Sequence, residues 1–206
     1  MTKILFVCHG NICRSTMAES VMTWLVRQSG VEKKYQIASA ATSTEELGNG
    51  VHHGTVAQLR RMGVPVVPHR AVQMTKTDYD RYDLLIGMDE WNRKNMLRIT
   101  GGDPEGKIHL LLDWSEHPRA IADPWYTGDF QATWEDVLEG CRSLLLELEK
   151  EFGIHPCHST AEAVKDADYI FVMVGYPSDV EEVFCGESGI FHNTPRSERR
   201  SFTTSP

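Results

Sequence analysis

The stretch that decides the fold is Ile4-Leu5-Phe6-Val7-Cys8-His9-Gly10-Asn11-Ile12-Cys13-Arg14-Ser15. It opens with four apolar residues without alternation, which is typical of a strand buried on both faces of a sheet. Gly10 and Asn11 tolerate the backbone angles of a tight loop. From Arg14 onward, apolar residues recur at helical spacing without a breaker. The stretch therefore predicts a strand, a curled loop and a helix N-terminus whose main-chain N–H groups can converge on an anion.

Cys8 and Arg14 flank this loop and supply the groups needed to attack a phosphate monoester. Thiolate is the reactive form of cysteine, and thiols ionise more readily at helix N-termini and beside cations. A guanidinium can hold two phosphoryl oxygens in a planar fork that lysine cannot match. Ser15 can donate a hydrogen bond to the sulfur. A cysteine at a strand end is commonly just a small apolar side chain, but the strand, loop and helix together favour a catalytic Cys8 and Arg14.

The loop resembles the signature of the low-molecular-weight protein-tyrosine phosphatase family, C-x-G-N-x-C-R-S, at the same N-terminal position. Thr16 departs from the proline that is common next in the family. The resemblance implies hydrolysis of phosphotyrosine in proteins, and of small aryl phosphates, through a cysteinyl-phosphate intermediate without metal or cofactor. It also implies a phosphate-binding loop made of His9, Gly10, Asn11, Ile12, Cys13, Arg14 and Ser15.

A phenolate leaving group calls for a proton donor at neutral pH, and the resemblance assigns that role to Asp123 in Asp123-Pro124-Trp125-Tyr126. Pro124 biases Asp123 away from helical angles and stiffens the turn. Asp-Pro alone usually marks just a turn, as at Asp103-Pro104. We expect Asp123 to act as general acid and then as general base, and the aromatic pair to stack on a flat substrate, with core packing the alternative for Trp125. The expected substrate pocket comprises Ile12, Glu46, Trp125 and Tyr126.

The resemblance implies two further roles around the loop. Asn11, Ser39 and His69 would support it, although His69 taken alone would be a solvated loop histidine. Cys13 would protect the nucleophile, because an oxidised Cys8 can condense with it into a disulfide rather than proceed to irreversible acids. Simple packing is the alternative for Cys13.

The composition of the chain restricts the kinds of binding partner that we expect. The 206 residues include 21 basic and 29 acidic residues, a net charge of −8, which argues against nucleic acid and acidic membranes as partners. An apolar run approaching the ~20 residues of a membrane span is absent from the sequence, and because the N-terminus is predicted to be a strand we expect no signal peptide. Five cysteines show no disulfide framework, and a working thiolate suits a reducing, cytoplasmic setting. His155, Cys157 and His158 lack a second cluster, so we expect no metal site.

Alternating strand and helix patterns predict an α/β fold with a parallel sheet, helices on both faces and a ligand crevice at the strand C-terminal ends. The resemblance implies four strands in the flavodoxin-like, doubly wound order 2-1-3-4. Asp89 is predicted to cap a helix, and an apolar stripe from Trp134 to Phe152 a long final helix. Strands are predicted near 34–39, at Val66-Val67, at 82–87 and near 107–110, and a further helix near 54–63.

The tail has a different pattern. Residues at about 160–190 resemble an internal piece of the NAD-binding domain of β-hydroxyacid dehydrogenases, read as helix, strand and helix. The G-x-G-x-x-G turn that would hold pyrophosphate is absent from it, so no functional NAD site is expected. We predict a phosphatase domain at 1–153, a non-functional βα-like remnant at 154–192 and a disordered tail at 193–206.

Three alternatives remain open. Arsenate reductase on the same scaffold needs further redox cysteines, and none lies between Cys13 and Cys141. The protein-arginine phosphatase branch tends to carry threonine where Ile12 stands, and an apolar Ile12 suits an aryl ring better than a guanidinium. A non-enzymatic phosphate-binding module would not need Cys8, Arg14 and Asp123 together, and a dinucleotide-binding module would need the glycine turn that is missing.

Overall fold

The structure is a computed structural model that describes residues 1–150, 183–186 and 189–190. The chain divides into two units, Met1–Glu149 and Lys150–Pro206, and the sheet lies in the first. Most of the dehydrogenase-like segment predicted at 154–192 lies outside the described residues. The tail predicted at 193–206, and Phe152 at the end of the predicted apolar stripe, lie outside them altogether.

Strands and helices alternate along the first unit, with two 3₁₀ helices at Glu32–Lys34 and Leu111–Trp114. The strands are β1 (Thr2–Cys8), β2 (Tyr35–Ala41), β3 (Leu84–Gly87) and β4 (Ile108–Leu110). The α-helices are α1 (Arg14–Gln28), α2 (His53–Arg61), α3 (Asp78–Arg81), α4 (Glu90–Thr100), α5 (Pro124–Thr127) and α6 (Phe130–Lys150).

The four strands form one sheet in the order β2-β1-β3-β4, and all neighbouring pairs are parallel. The predicted order is therefore confirmed. At the C-terminal edge, Cys8 lies opposite Ala41, and Val7 lies opposite Gly87. The loops that follow β1, β2 and β3 consequently leave the sheet side by side, which is where a parallel α/β sheet places its ligand crevice.

Both faces of β1 are buried, as its continuous apolar run predicts. Ile4 and Phe6 belong to a core that includes residues of α1 and α6. Leu5 and Val7 belong to a second core that includes Met96 of α4. Successive side chains of a strand point to opposite faces, so this division confirms helices on both sides of the sheet.

The predicted strand at Val66-Val67 is wrong, because these residues lie in an irregular segment. Prolines stand on both sides of the pair, and proline cannot donate a ladder hydrogen bond. The N–H of Val67 donates instead to Ser20 Oγ, 3.2 Å away. The two β-branched residues therefore lie in a half-buried loop and do not form a fifth strand. The short helices α3 and α5 were not predicted.

Helix α6 packs closely against the 3₁₀ helix that follows β4. A Cβ atom built at Gly140 would lie 2.6 Å from Leu111 Cγ and 2.9 Å from the Leu111 carbonyl oxygen, so a larger residue would force the two apart. The predicted stripe on α6 is buried at Trp134, Val137, Cys141 and Leu144. Within the described part of the chain, no helix is long and apolar enough to cross a membrane.

Candidate active site

Cys8 ends β1 and lies at the base of a loop that leads directly into α1. Its Sγ is 3.3 Å from the Asn11 N–H and 3.1 Å from Ser15 Oγ. Cys13, the residue before α1, makes no side-chain cap, and the first turn of α1 holds no acidic residue. The positive end of the helix dipole and its first N–H groups therefore stay available to an anion. The Thr16 hydroxyl stabilises the first turn of α1 by donating a hydrogen bond to the Cys13 carbonyl oxygen at 2.9 Å.

Asn11 holds the loop in its curled shape. Its φ of 58° is a left-handed conformation that costs a non-glycine residue about 1 kcal/mol or more. Asn11 Nδ2 donates to Ser15 Oγ and to Ser39 Oγ, each at 2.9 Å. Asn11 Oδ1 contacts His69 Nε2 at 2.9 Å and accepts from the Val72 N–H at 3.1 Å. The fully buried amide thus uses all four of its hydrogen-bonding positions to hold the strained turn.

Glu19 extends this network beneath the loop. It accepts a hydrogen bond from Ser39 Oγ at 2.5 Å, and its Oε2 lies 3.6 Å from His69 Nδ1. Burial raises the pKa of Glu19 and lowers the pKa of His69. Desolvation therefore works against charge on both groups, and their contact offsets that penalty only where both are charged together. The structure brings together Asn11, Ser39 and His69, the three residues predicted to support the loop.

Arg14 is 2 % exposed and is held between two carboxylates. Its Nη1 donates to Asp89 Oδ2 at 2.5 Å and to the Ile121 carbonyl oxygen at 3.0 Å, and its Nη2 donates to Asp123 Oδ2 at 2.5 Å. Burial opposes the charge, but Cys8, Asp123 and Asp89 outweigh it and raise the pKa of Arg14. Arg14 Nε is buried and has no acceptor among the residues that the structure describes. An oxyanion bound in the loop would supply one.

Asp123 caps α5 and faces Arg14 at the same time. Its Oδ1 accepts from the Trp125 N–H at 3.1 Å while its Oδ2 binds the guanidinium. The side chain stays 20 % exposed. Asp123 and Cys8 line one pocket of ≈ 90 Å³. The carboxyl group therefore lies in the same opening as the sulfur, as expected for a proton donor opposite a nucleophile.

All four residues predicted to form the substrate pocket line this opening: Ile12, Glu46, Trp125 and Tyr126. Trp125 is 57 % exposed and Tyr126 is 83 % exposed, so neither is a core residue. Trp125 and His52 form a T-shaped pair with ring centroids 5.8 Å apart, and His52 in turn stacks on Phe130 at 5.2 Å. The rings of His52 and Phe130 thereby support Trp125 in the wall of the pocket.

Cys13 and Cys141 differ from Cys8 in their surroundings. Burial, with Cys8 and Asp123 adding to it, raises the pKa of Cys13 to about 12. Burial alone raises the pKa of Cys141, which lies in the core with its Sγ 3.7 Å from the Ala18 carbonyl oxygen. Both thiols are therefore protonated at neutral pH. Cys8 instead contacts two hydrogen-bonding groups of the loop and opens onto the pocket.

Three residues of the site were missed by the sequence reasoning. Asp89 was predicted only as a helix cap, and it does accept from the Asn92 N–H at 2.7 Å while also binding Arg14. Its position just after β3, at the same sheet edge as Cys8, was the available signal. Glu19 and Glu45 carried no comparable signal. Glu45 lies in the β2–α2 loop, with its Oε2 3.0 Å from His9 Nε2.

Within residues 1–150, 183–186 and 189–190, no group of three or more His, Cys, Asp or Glu side chains could hold a metal ion.

Comparison with sequence families gives two matches. The family described as low molecular weight phosphotyrosine protein phosphatase matches residues 3–154. The NAD binding domain of 6-phosphogluconate dehydrogenase matches residues 134–199, most of which the structure does not describe. Both resemblances predicted from the sequence are confirmed.

Individual relatives agree with the first match. The low molecular weight protein-tyrosine-phosphatase YfkJ of Bacillus subtilis is 37% identical over 153 residues, which cover 73% of this chain and 98% of the relative. Its crystal structure superimposes with a TM-score of 0.71 over 73% of this chain and 96% of that one. The Streptococcus pyogenes low molecular weight protein tyrosine phosphatase is 36% identical, with a TM-score of 0.67 over 76% and 100% of the two chains. The human low molecular weight phosphotyrosine protein phosphatase is 35% identical over 69% of this chain and 92% of its own length.

Proposed function

The chain belongs to the low molecular weight phosphotyrosine protein phosphatase family, and from that premise we propose that it hydrolyses phosphotyrosine in proteins through the thiolate of Cys8. The observation that carries the proposal is the shared pocket of Cys8 and Asp123, with Arg14 hydrogen-bonded to Asp123. Nucleophile, cation and acid are the three groups that phosphoryl transfer to a thiol requires.

The first step transfers the phosphoryl group to sulfur. Loop N–H groups and the Arg14 guanidinium bind the non-bridging oxygens, and the buried Nε gains its missing acceptor. The Asp123 carboxylate leaves Arg14 Nη2, takes up a proton from solvent water and turns toward the bridging oxygen. Cys8 Sγ bonds to phosphorus as the bond from phosphorus to the aryl oxygen breaks. Asp123 passes its proton to that oxygen, so the product leaves as a neutral phenol.

The second step releases phosphate. Asp123, now a carboxylate, takes a proton from a water molecule whose oxygen attacks phosphorus. The bond between phosphorus and sulfur breaks, and its electron pair returns to Cys8. The Ser15 hydroxyl, 3.1 Å from Sγ, stabilises the sulfur as it leaves as thiolate. Inorganic phosphate and the free thiolate complete the cycle.

The pocket favours an aryl phosphate over the alternatives. Ile12 is 7 % exposed and lines the pocket together with Trp125 and Tyr126, which suits a flat aromatic ring better than a guanidinium. Arsenate reduction would need a cysteine able to relay a disulfide. In the unit that holds the site, Cys141 is the one cysteine described beyond the loop, and it is fully buried in the core.

The test is turnover by the wild type and by Cys8→Ser on three substrates: para-nitrophenyl phosphate, a phosphotyrosine peptide and a phosphoarginine peptide. We expect Cys8→Ser to lose roughly 10⁴-fold or more in kcat on all of them. The wild type should favour the phosphotyrosine peptide over the phosphoarginine peptide by at least about tenfold in kcat/KM. Cys185→Ser, which removes an exposed thiol elsewhere, is the matched control and should retain full activity. If Cys8→Ser keeps its turnover, Cys8 is not the nucleophile. If the wild type prefers the phosphoarginine peptide, phosphotyrosine is not the substrate.

We also propose a role for Cys13, a cellular location and the division of the chain into domains. Cys13 protects an oxidised Cys8 by forming a disulfide, for which the buried thiol must first ionise. A working thiolate suits the cytoplasm. The phosphatase domain comprises residues 1–153, and the dehydrogenase-like segment at 154–192 binds no dinucleotide. NADH fluorescence that stays unchanged on adding the protein would support this last point, and saturable enhancement would refute it.

A further inference from the structure

A second opening lies beside the active-site pocket and shares part of its wall. It is a groove of ≈ 350 Å³. His9 and Glu45, whose side chains meet at 3.0 Å between Nε2 and Oε2, line both the groove and the pocket. The two openings are therefore separated by one side-chain pair, and a chain that leaves the pocket over this pair enters the groove.

The far wall of the groove is one face of α4. Trp91, Asn95 and Arg98 line it at positions i, i+4 and i+7, which places them above one another on the helix surface. Trp91 is 61 % exposed, an unusual amount for an indole side chain. Lys94 Nζ lies 5.6 Å from the centre of its ring. The groove thus presents a flat aromatic surface next to two cations.

The charge of Arg98 has no carboxylate partner in the described part of the structure. Its one hydrogen bond there is a long one, 3.4 Å from Nη2 to Asn95 Oδ1. By contrast, Arg93 on the same helix pairs with Glu90 at 3.3 Å. The chain as a whole carries a net charge of −8, so an unpaired guanidinium beside the site is a local departure from an acidic molecule.

We propose that this groove binds the substrate polypeptide next to its phosphotyrosine and selects an acidic side chain there. This inference rests on the proposed function and adds a substrate preference to it. The peptide crosses the His9–Glu45 pair, covers the exposed face of Trp91 and places a carboxylate against Arg98. Each residue of an extended peptide spans about 3.4 Å, so the three residues that follow the phosphotyrosine on the groove side extend over about 10 Å.

The test compares phosphotyrosine peptides that carry a single Glu or the isosteric Gln, placed in turn at each of the three positions before and after the phosphotyrosine. At one or more positions the wild type should favour Glu over Gln by about two- to fivefold in kcat/KM, as expected for an exposed ion pair. Arg98→Glu should reduce that ratio to one or below. Trp91→Ala should raise KM for both peptides without changing turnover of para-nitrophenyl phosphate, which is too small to reach the groove.

Arg60→Glu is the matched control, because it makes the same charge change at an exposed position of α2 outside the groove and should keep the preference. The preference should also weaken as ionic strength rises, since exposed charges are screened. A wild type that hydrolyses the peptides without distinguishing Glu from Gln overturns the inference, and so does a preference that survives Arg98→Glu. An enzyme inactive on every phosphotyrosine substrate would instead overturn the proposed function.

Discussion

Asp123-Pro124 and Asp103-Pro104 are the same dipeptide in two different surroundings. Asp123 binds the guanidinium of Arg14 and faces the pocket of Cys8. Asp103 accepts hydrogen bonds from the Tyr79 hydroxyl at 2.8 Å, from the Lys107 N–H at 2.7 Å and from the Ile108 N–H at 3.1 Å. The first carboxylate keeps one charged partner that a ligand can replace, whereas the second is used to hold the start of β4.

The difference shows that an Asp-Pro turn takes its role from what lies opposite it. Both prolines fix the backbone of the turn, and in both cases the aspartate side chain bonds nearby N–H groups. Only at Asp123 does the remaining oxygen point toward a catalytic cation. We therefore expect substitutions at position 123 to change the rate of reaction and substitutions at position 103 to change the stability of the fold.

Asp123→Asn should give the largest effect. The amide keeps the size and the cap to the Trp125 N–H but cannot supply a proton, so kcat on a phosphotyrosine peptide should fall by about 10²–10⁴-fold. Steady-state kinetics together with urea denaturation check this: the amide has one oxygen for the two contacts of Asp123, so the free energy of unfolding should fall by about 1–2 kcal/mol, less than at position 103. The loss should shrink on an aryl phosphate with a more acidic phenol. An equal loss on both substrates would show that Asp123 is not the proton donor.

Asp103→Ala should invert this result. Removing the carboxylate leaves three donors without their acceptor, and the free energy of unfolding should fall by about 2–4 kcal/mol. The kcat of the folded protein should stay within twofold of the wild type. Tyr79→Phe, which removes one of the three donors, is the graded control and should cost about 1 kcal/mol. A loss of kcat without a loss of stability would contradict the division between the two turns.

The pH dependence of stability should report the contribution of the Asp103 carboxylate. Burial works against the charge of Asp103, but the bonds from Tyr79, Ile108 and Lys107 outweigh it and hold the pKa of Asp103 below its ordinary value. Its stabilising contribution is therefore complete above the unfolded pKa of about 3.9 and is lost as pH falls through the lower folded pKa. The difference in urea midpoint between the wild type and Asp103→Asn should accordingly be constant at neutral pH and shrink in acid. A difference that grows in acid would contradict the assignment.

The smallest effect should come from the two prolines. Pro104 is exposed, so Pro104→Ala should cost about 0.4–1 kcal/mol of stability, mainly through the unfolded chain, and leave kcat unchanged. Pro124 is buried at the first position of α5. Pro124→Ala should cost a similar amount and also lower kcat by about two- to fivefold, because the acid is held less firmly. Equal kinetic effects from the two substitutions would remove the distinction.

The sheet was predictable because its signals are local. The buried run of β1, the loop and the helix are contiguous in sequence, and parallel strands place Cys8 at the edge where ligands bind. The strand wrongly predicted at Val66-Val67 followed the same logic, but the flanking prolines deprive it of ladder donors. Helices α3 and α5 have four residues each, about one turn, which is too short to leave a periodic pattern in the sequence.

The site was predictable only where chemistry or resemblance named a residue. The Cys8 and Arg14 pair follows from the loop itself, whereas the positions of Ser39, His69 and Asp123 came from family resemblance. Asp89 and Glu19 were missed, because Asp89 meets Arg14, and Glu19 meets Ser39 and His69, only after the strands and helices have packed. Hydrogen bonds between residues that are far apart in sequence leave no trace in spacing.

In the ion pair with Arg14, the Asp123 carboxylate occupies a guanidinium nitrogen that a bound anion could use, so it competes with that anion. An anion that binds Arg14 through Nη2 must first displace the carboxylate bound there, so every such anion loses the same amount of affinity. A phosphorylated side chain recovers that loss through the aromatic wall, but free phosphate has no ring to place there. We expect ambient orthophosphate to inhibit only weakly, and product to leave readily after each turnover.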